Sequence, residues 1–496
     1  MLQHHLEVCH DRVRKFLLLL CCVNVHHGLV GARLRLDGGT GRPVEDEQHN
    51  YRNRGSGSER NYRGPLQLHN QPNSAPAHKS ARFGERIFNR KIRQLFYVRQ
   101  SLLSERVQKL DYPIRKFNAI ARELEEKGEK VIYLNIGDPL KYDFETPKEL
   151  VDEAYKAMLE GHNYYASSDG VKELREAIAE KERTWNGVKV NPSNILVTSG
   201  VSEALNALYA ALVNEGDEVL IPDPSYPLYI NFADFYGARK IFYATIESEG
   251  WIPDVDDIRR KISKKTKFII VNNPHNPTGA VYPAKILREI IDVAAEHEVP
   301  VVTDEIYDAL TFEGEFKSVG ALAGSDNLVI GLNGFSKTFL ATGWRLGYIY
   351  LLGPEEHLSE LRKGILNFLM TRLSAVTPLQ VALARFAAKR PNFLEGVKRK
   401  LDERRKYASK RLNELHGVSM PIAPKGAFYA FPRLSTHLSD EEFARRLLLE
   451  EKVFVVYGSG FGPLGSDHMR IVYLPPIEVL EEAFTRIERF VRKHSR

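Results

Sequence analysis

Between residues 195 and 330 the chain alternates short apolar runs with stretches of helical spacing, and this alternation limits the fold more than any other feature. The runs are Ile195-Leu196-Val197, Glu218-Val219-Leu220-Ile221, Lys267-Phe268-Ile269-Ile270-Val271, Val299-Pro300-Val301-Val302 and Leu328-Val329-Ile330. Each is too short for a helix, and most are rich in β-branched residues. Such runs read as strands buried on both faces, which is the condition of a mostly parallel sheet covered by its crossover helices. The expected fold class is α/β: a large domain with a mostly parallel seven-stranded-type sheet flanked by helices. Ligands of such sheets sit beyond the carboxyl ends of the strands, so chemistry is sought in the residues after each run.

The text on either side differs. Ile114 to Lys127 has helical spacing, Val131 to Ile136 is a short strand pattern, and Pro147 to Leu159 and Val171 to Trp185 are amphipathic helices. After Met370 come a long charged helix, Pro391 to Leu415, and apolar runs at 428–431, 453–456 and 469–473, which read as a smaller α+β domain. Four segments are expected: an extension (1–95), an N-terminal arm with part of the small domain (96–145), a large domain (146–370) and a small C-terminal domain (371–496).

The extension is a different text. It holds sixteen Lys and Arg against eight Asp and Glu, so the formal charge of +6 arises there and the remainder is near −2. Nothing basic is left in the main body to argue for nucleic-acid binding. The stretch from Gly38 to Ser80, dominated by Gly, Arg, Asn, Pro, Gln and His, cannot bury enough apolar surface to order itself. The extension is therefore expected to be disordered, or to reflect a start site assigned too far upstream. Its apolar patch, Phe16 to Val23, is short and lacks a convincing cleavage site for a signal peptide. All three cysteines, Cys9, Cys21 and Cys22, lie in it, which removes disulfides and cysteine-bound metal from the body. No run approaches the roughly 18 apolar residues of a membrane span, and a cytoplasmic location is expected.

The strand ends carry a recurrent polar chemistry. Lys337, in Phe335-Ser336-Lys337-Thr338, stands eight positions before Arg345 in a Gly-punctuated loop. A lysine that forms a Schiff base must be held partly deprotonated, and a nearby guanidinium lowers its pKa and can grip phosphate in a bidentate fork. Gly200-Val201-Ser202 opens a helix, where free N–H groups and a hydroxyl cradle phosphate; the same residues also suit a plain N-cap. Tyr226, in a turn with three prolines, can lie flat on a planar ring or pack as a core tyrosine. Asn276 lies in the loop Asn272-Asn273-Pro274-His275-Asn276-Pro277-Thr278-Gly279, where its amide can donate to a phenolate, and His275 reads as an incidental loop residue. Asp304 follows a buried strand; it is a cap or the partner of a protonated pyridine nitrogen. Tyr307 lies three residues further on. Arg470, in an apolar strand, is an ion-pair partner or a carboxylate receptor.

Taken together, residues from about Ser101 to the end resemble the class I, fold type I family of pyridoxal-phosphate-dependent aminotransferases. The resemblance is carried by Gly137-Asp138-Pro139, Asn276-Pro277-Thr278-Gly279, Asp304-Glu305-Ile306-Tyr307, Ser336-Lys337 with Arg345, Lys425-Gly426-Ala427-Phe428-Tyr429, and Arg470, in that order. It implies pyridoxal 5′-phosphate as cofactor, with Lys337 carrying the internal aldimine and acting as acid and base. Asp304 would face the pyridine nitrogen, and Tyr307 and Asn276 the phenolate oxygen. Arg345, Ser202 and the Val201 amide would hold the phosphate, and Tyr226 would stack on the ring. Arg470, Asn276 and the Gly137 backbone would bind the substrate α-carboxylate. Tyr165 resembles the tyrosine that reaches the neighbouring subunit's phosphate, so the resemblance implies a homodimer. Leu134 to Pro139, Glu160 to Tyr165 and Thr311 to Gly314 are closest to the archaeal alanine aminotransferase-like branch.

The expected reaction moves an amino group from alanine or another small amino acid to 2-oxoglutarate by a ping-pong route. Aspartate or aromatic transamination, or β-elimination on the same scaffold, are the alternatives. Tyr457 stands where the family commonly has proline before Gly458-Ser459-Gly460-Phe461-Gly462, and no second arginine dedicated to a substrate side-chain carboxylate can be picked out, Arg372 being merely available. A transcriptional regulator with an aminotransferase-like sensor would need helix-turn-helix periodicity that Gly38 to Ser80 does not offer.

Overall fold

A two-residue strand, β1 (Ile132–Tyr133), precedes a central sheet of eight strands in the computed structural model, which describes residues 102–494. The sheet comprises β2 (Ile195–Thr198), β3 (Glu218–Asp223), β4 (Arg239–Ile246), β5 (Ile252–Pro253), β6 (Thr266–Asn272), β7 (Val301–Asp304), β8 (Val329–Gly334) and β9 (Gly347–Leu352), in the order β2-β9-β8-β7-β6-β3-β4-β5. Pairings β4–β3–β6–β7–β8 are all parallel, and β9 runs antiparallel to both β8 and β2. The expected mostly parallel α/β sheet is present, extended at one edge by the short β5. The expectations for residues 1–95 lie outside the described residues.

Strand β6 shows why the apolar runs form this sheet. Phe268 and Ile270 point to one face, against Leu205 and Leu208 of the helix Val201–Leu212. Ile269 and Val271 point to the other, against Leu287, Ile290 and Ile291 of the helix Ala284–Glu296. With period-two alternation and apolar cover on both sides, every position from Phe268 to Val271 is buried. Each such side chain contributes about 1.5–3 kcal/mol by leaving water.

Three strands escaped the apolar-run reading. β4 and the short β5 lie at the sheet edge, and β4 is half-exposed along much of its length. β9 follows the Lys337–Arg345 loop directly, with no intervening crossover helix, so the strand–helix alternation does not announce it. Toward the N-terminus, the helical spacing from Ile114 resolves into a 3-10 turn, Pro113–Arg115, and a helix, Asn118–Glu126.

The C-terminal stretch contains the helices Phe393–Glu414, Asp440–Glu451 and Ile477–His494. Its strands are β10 (Val418–Ser419), β11 (Tyr429–Ala430), β12 (Arg433–Leu434), β13 (Val453–Phe454), β14 (Val456–Tyr457) and β15 (Met469–Val472). The apolar run at 453–456 is divided: β13 pairs with β1, and β14 joins β15 and β11 in an antiparallel sheet. Leu401, Phe443 and Ile487 share one core with Phe117, Ala121 and Leu134 from the start of the described chain. Among the described residues no helix is long and apolar enough to cross a membrane.

Candidate active site

The carboxyl ends of β2, β6, β7 and β8 and the strand β15 converge on a cavity of about 470 Å³. Gly137, Val201, Ser202, Tyr226, Asn276, Asp304, Tyr307, Lys337, Arg345 and Arg470 all line it. Tyr165 does not; it is 79% exposed on the loop that follows the helix Lys148–Leu159.

Lys337 lies on the loop after β8, and its Nζ donates to the Gly137 carbonyl at 2.7 Å. Its pKa is pulled down to about 8, mainly by burial, with Asp138 opposing and Arg345 and Arg470 assisting. Burial, rather than the guanidinium favoured by the sequence spacing, is thus the main cause. Asp304 ends β7 and is almost fully buried, with Oδ2 accepting from the Tyr229 hydroxyl at 2.6 Å and Oδ1 from the Ile306 amide at 3.2 Å. Burial raises its pKa to about 6, and those two bonds hold it from rising further.

Arg345 reaches the cavity through an unusual backbone. Its own φ of +54° is left-handed, and its guanidinium lies over Gly200. Gly200, at φ +79°, has a backbone that favours glycine, and its missing Cβ, which would fall 2.5 Å from Arg345 Nη2, leaves that space to the guanidinium. The helix Val201–Leu212 starts at the same point, which sets a guanidinium, the Ser202 hydroxyl and a helix N-terminus around one volume.

Arg470 is 1% exposed. Its Nη1 donates to Asn276 Oδ1 at 3.1 Å and its Nη2 to the Asn135 carbonyl, while Nε has no partner among the described residues. The rings of Tyr429 and Phe461 lie 4.6 and 4.9 Å from its Cζ. Both acceptors are neutral oxygens, so among the described residues this buried positive charge has no anion beside it, and its site suits a carboxylate. Because Asn276 spends its oxygen on Arg470, its amide hydrogens remain for a ligand.

The sequence reading missed several neighbours. Tyr429, on β11, has its hydroxyl 2.7 Å from that of Tyr307. Tyr112 pairs its hydroxyl with Tyr226 at 3.2 Å. Tyr226 meets Tyr229 edge to face, with ring centroids 5.5 Å apart. Tyr229 is the donor to Asp304; its position three residues after Tyr226 is the one signal that could have found it. Arg115 lines the cavity as an exposed guanidinium with no ion-pair partner among the described residues. Arg372, by contrast, is committed elsewhere: Nε bonds Glu203 at 2.8 Å and Nη2 the Val197 carbonyl at 2.7 Å. His275 is fully buried against Thr278, and burial lowers its pKa to about 3, which makes it a neutral packing residue.

A lysine of lowered pKa, a buried carboxyl and two guanidiniums thus share one cavity at the carboxyl ends of an α/β sheet, an arrangement suited to holding anionic groups beside a reactive amine. Residues 129–487 match the family described as aminotransferase class I and II, and the chain belongs to that family. It is similar to the glutamate-pyruvate aminotransferase AlaA of Haemophilus influenzae, at 34% identity over 78% of this chain and 97% of the relative. It is similar also to the aspartate aminotransferase of Pyrococcus abyssi, at 37% identity over 77% and 95%. Among solved structures, an alanine aminotransferase from Pyrococcus furiosus superimposes with a TM-score of 0.76 and 49% identity, covering 79% of this chain and all of that one. The protein is thus an aminotransferase of the fold type I, pyridoxal-phosphate-dependent kind. The residues present fit that cofactor: the amine of Lys337, the carboxyl of Asp304 and the Gly200–Arg345 cradle suit its aldehyde, ring nitrogen and phosphate.

Proposed function

We propose that the chain transfers the amino group of alanine, or another small amino acid, to 2-oxoglutarate in two half-reactions. The single observation that carries the amino-acid half is Arg470, a buried guanidinium beside Lys337 whose Nε is unpartnered. Arg470 and the free amide of Asn276 hold the α-carboxylate and fix the substrate Cα toward the lysine. Pyridoxal phosphate, when bound, supplies an electron sink for the pair left at that carbon. Lys337, deprotonated in a good share of molecules near pH 8, takes the Cα proton and later returns one. Asp304 keeps a negative charge against a ring nitrogen, Tyr307 and Asn276 donate to a phenolate oxygen, and Tyr226 supports the ring. Arg345, Ser202 and the Val201 amide bind phosphate.

Small donors are favoured by the relatives named as glutamate-pyruvate or alanine aminotransferases. Arg115, free at the cavity wall, offers a second guanidinium for the distal carboxylate of glutamate or 2-oxoglutarate. Aspartate transamination is the second reading, favoured by the relative of that name. The proposal includes a homodimer in which Tyr165 reaches the neighbouring site. Val151, Tyr155, Met158, Leu159, Tyr164 and Tyr165 form an exposed apolar set that a second copy would cover. The division into arm, large domain and small domain at residues 96–145, 146–370 and 371–496 belongs to the same reading; the shared core of Phe117 and Leu134 with Phe443 supports it. A cytoplasmic setting fits substrates that are free metabolites.

Incubating the loaded protein with alanine and 2-oxoglutarate tests this, with aspartate, an aromatic donor and a β-chlorinated alanine in parallel. Stoichiometric pyruvate and glutamate from alanine are expected. A higher kcat/KM with aspartate, or release of many pyruvates per site from unsubstituted alanine without an acceptor, where transamination allows only one, would overturn the assignment to alanine or to transamination respectively.

A further inference from the structure

Behind the cavity, five donors converge on the buried carboxylate of Asp308. Oδ2 accepts from Lys181 Nζ at 2.6 Å, Asn333 Nδ2 at 2.8 Å and Asn186 Nδ2 at 3.0 Å. Oδ1 accepts from the Ala309 amide at 2.7 Å and the Thr338 hydroxyl at 3.3 Å. Lys181, 1% exposed, also bonds Glu182 at 3.0 Å and the Tyr348 hydroxyl at 3.1 Å. Burial works against the Asp308 charge, but Lys181 and the surrounding donors overcome it and leave its pKa below the usual carboxylate value.

A buried ion pair by itself argues little, because desolvation cancels much of its attraction. What distinguishes this one is where its bonds go. Asn333 and Thr338 flank Lys337, four residues before it and one after, and Asn333 Oδ1 also accepts from the Gly334 amide at 2.7 Å. Asp308 itself follows Tyr307, whose hydroxyl faces the cavity wall at Tyr429. One carboxylate therefore ties down the segments carrying both Tyr307 and Lys337, which the cofactor must meet together.

We infer that Asp308, anchored by Lys181, is a positioning residue that sets the Lys337 loop relative to Tyr307 for amine transfer. It does not line the cavity. The inference rests on Lys337 being the reactive amine. Loosening the loop should move the amine out of register and let water reach it.

The test compares Asp308→Asn, Thr338→Val and Thr338→Ser with the parent protein. Two readouts are taken: steady-state kinetics, and the pH profile of borohydride-trapped attachment of pyridoxal phosphate to Lys337 in the cofactor-free protein. For D308N and T338V, kcat should fall about tenfold with KM for the amino donor within about twofold, as expected for a displaced reacting group. The attachment midpoint should rise by about half a unit toward that of an ordinary lysine, and T338S should restore both. If D308N does not fold, T338V and T338S decide alone. Parental kcat and midpoint in T338V, whatever its melting temperature, would reduce the network to a purely structural role. Failure of the parent itself to attach the cofactor at Lys337 would remove the underlying reading instead.

Discussion

The Tyr229 hydroxyl donates to Asp304 Oδ2 over 2.6 Å, so the carboxyl at the base of the cavity already holds one strong hydrogen bond before any ligand arrives. That bond favours the charged form, while burial disfavours it and leaves the pKa at about 6. The carboxylate is the form that pairs with a protonated ring nitrogen. Cofactor affinity, followed by fluorescence quenching, should therefore weaken as pH falls through about 6. Tyr229→Phe removes the bond and should move this limb upward by about one unit. Asp304→Asn should lower kcat by about 10²–10³.

Lys337 provides a second pH dependence of the same sense, centred about two units higher. The neutral amine is the nucleophile, and burial sets its pKa at about 8. Attachment of the cofactor to the cofactor-free protein should accelerate as pH rises and level off above about 8. An exposed lysine, with a reference pKa near 10.4, would keep accelerating beyond that. Stopped-flow absorbance over pH 6–10 checks the position of the plateau.

The two guanidiniums should separate kinetically. Arg470→Ala removes the buried receptor of the α-carboxylate and should cost about 2–5 kcal/mol of kcat/KM with every substrate. Arg115→Gln removes an exposed charge and should cost only about 1 kcal/mol, confined to glutamate and 2-oxoglutarate. Alanine and pyruvate kinetics should be unchanged in the second variant, and initial rates across the four substrates read this directly.

A homodimer should appear in sedimentation velocity, and Tyr155→Glu with Leu159→Glu should shift it to monomer by charging the exposed apolar face. Tyr165→Phe should leave the dimer intact and weaken cofactor binding about tenfold, the effect of one hydrogen bond to a charged group.

How much of this was legible in the sequence follows from the physics of each element. β6 and β7 were readable because burial on both faces demands an unbroken apolar run. β4 was not, since an edge strand tolerates Arg239 and Lys240. β9 was hidden because it follows the Lys337–Arg345 loop with no crossover helix to set it off. Within the site, polar residues at or just beyond strand ends, such as Asp304 and Asn276, stood out from the apolar runs before them. Tyr229 and Tyr429 did not, because a tyrosine on a helix or a short strand is indistinguishable from core until its hydroxyl partner is known. Asp308 was invisible for the same reason: its meaning lies in Lys181, Asn333 and Thr338, which are distant in the chain.

The central claim is that Lys337 is the amine that captures the cofactor. Loading the purified protein with pyridoxal phosphate, reducing with borohydride and mapping peptides by mass spectrometry tests it most directly. One phosphopyridoxyl group per chain on Lys337, lost in Lys337→Ala, is the predicted result. A label spread over surface lysines, or undiminished labelling of Lys337→Ala, would contradict the account.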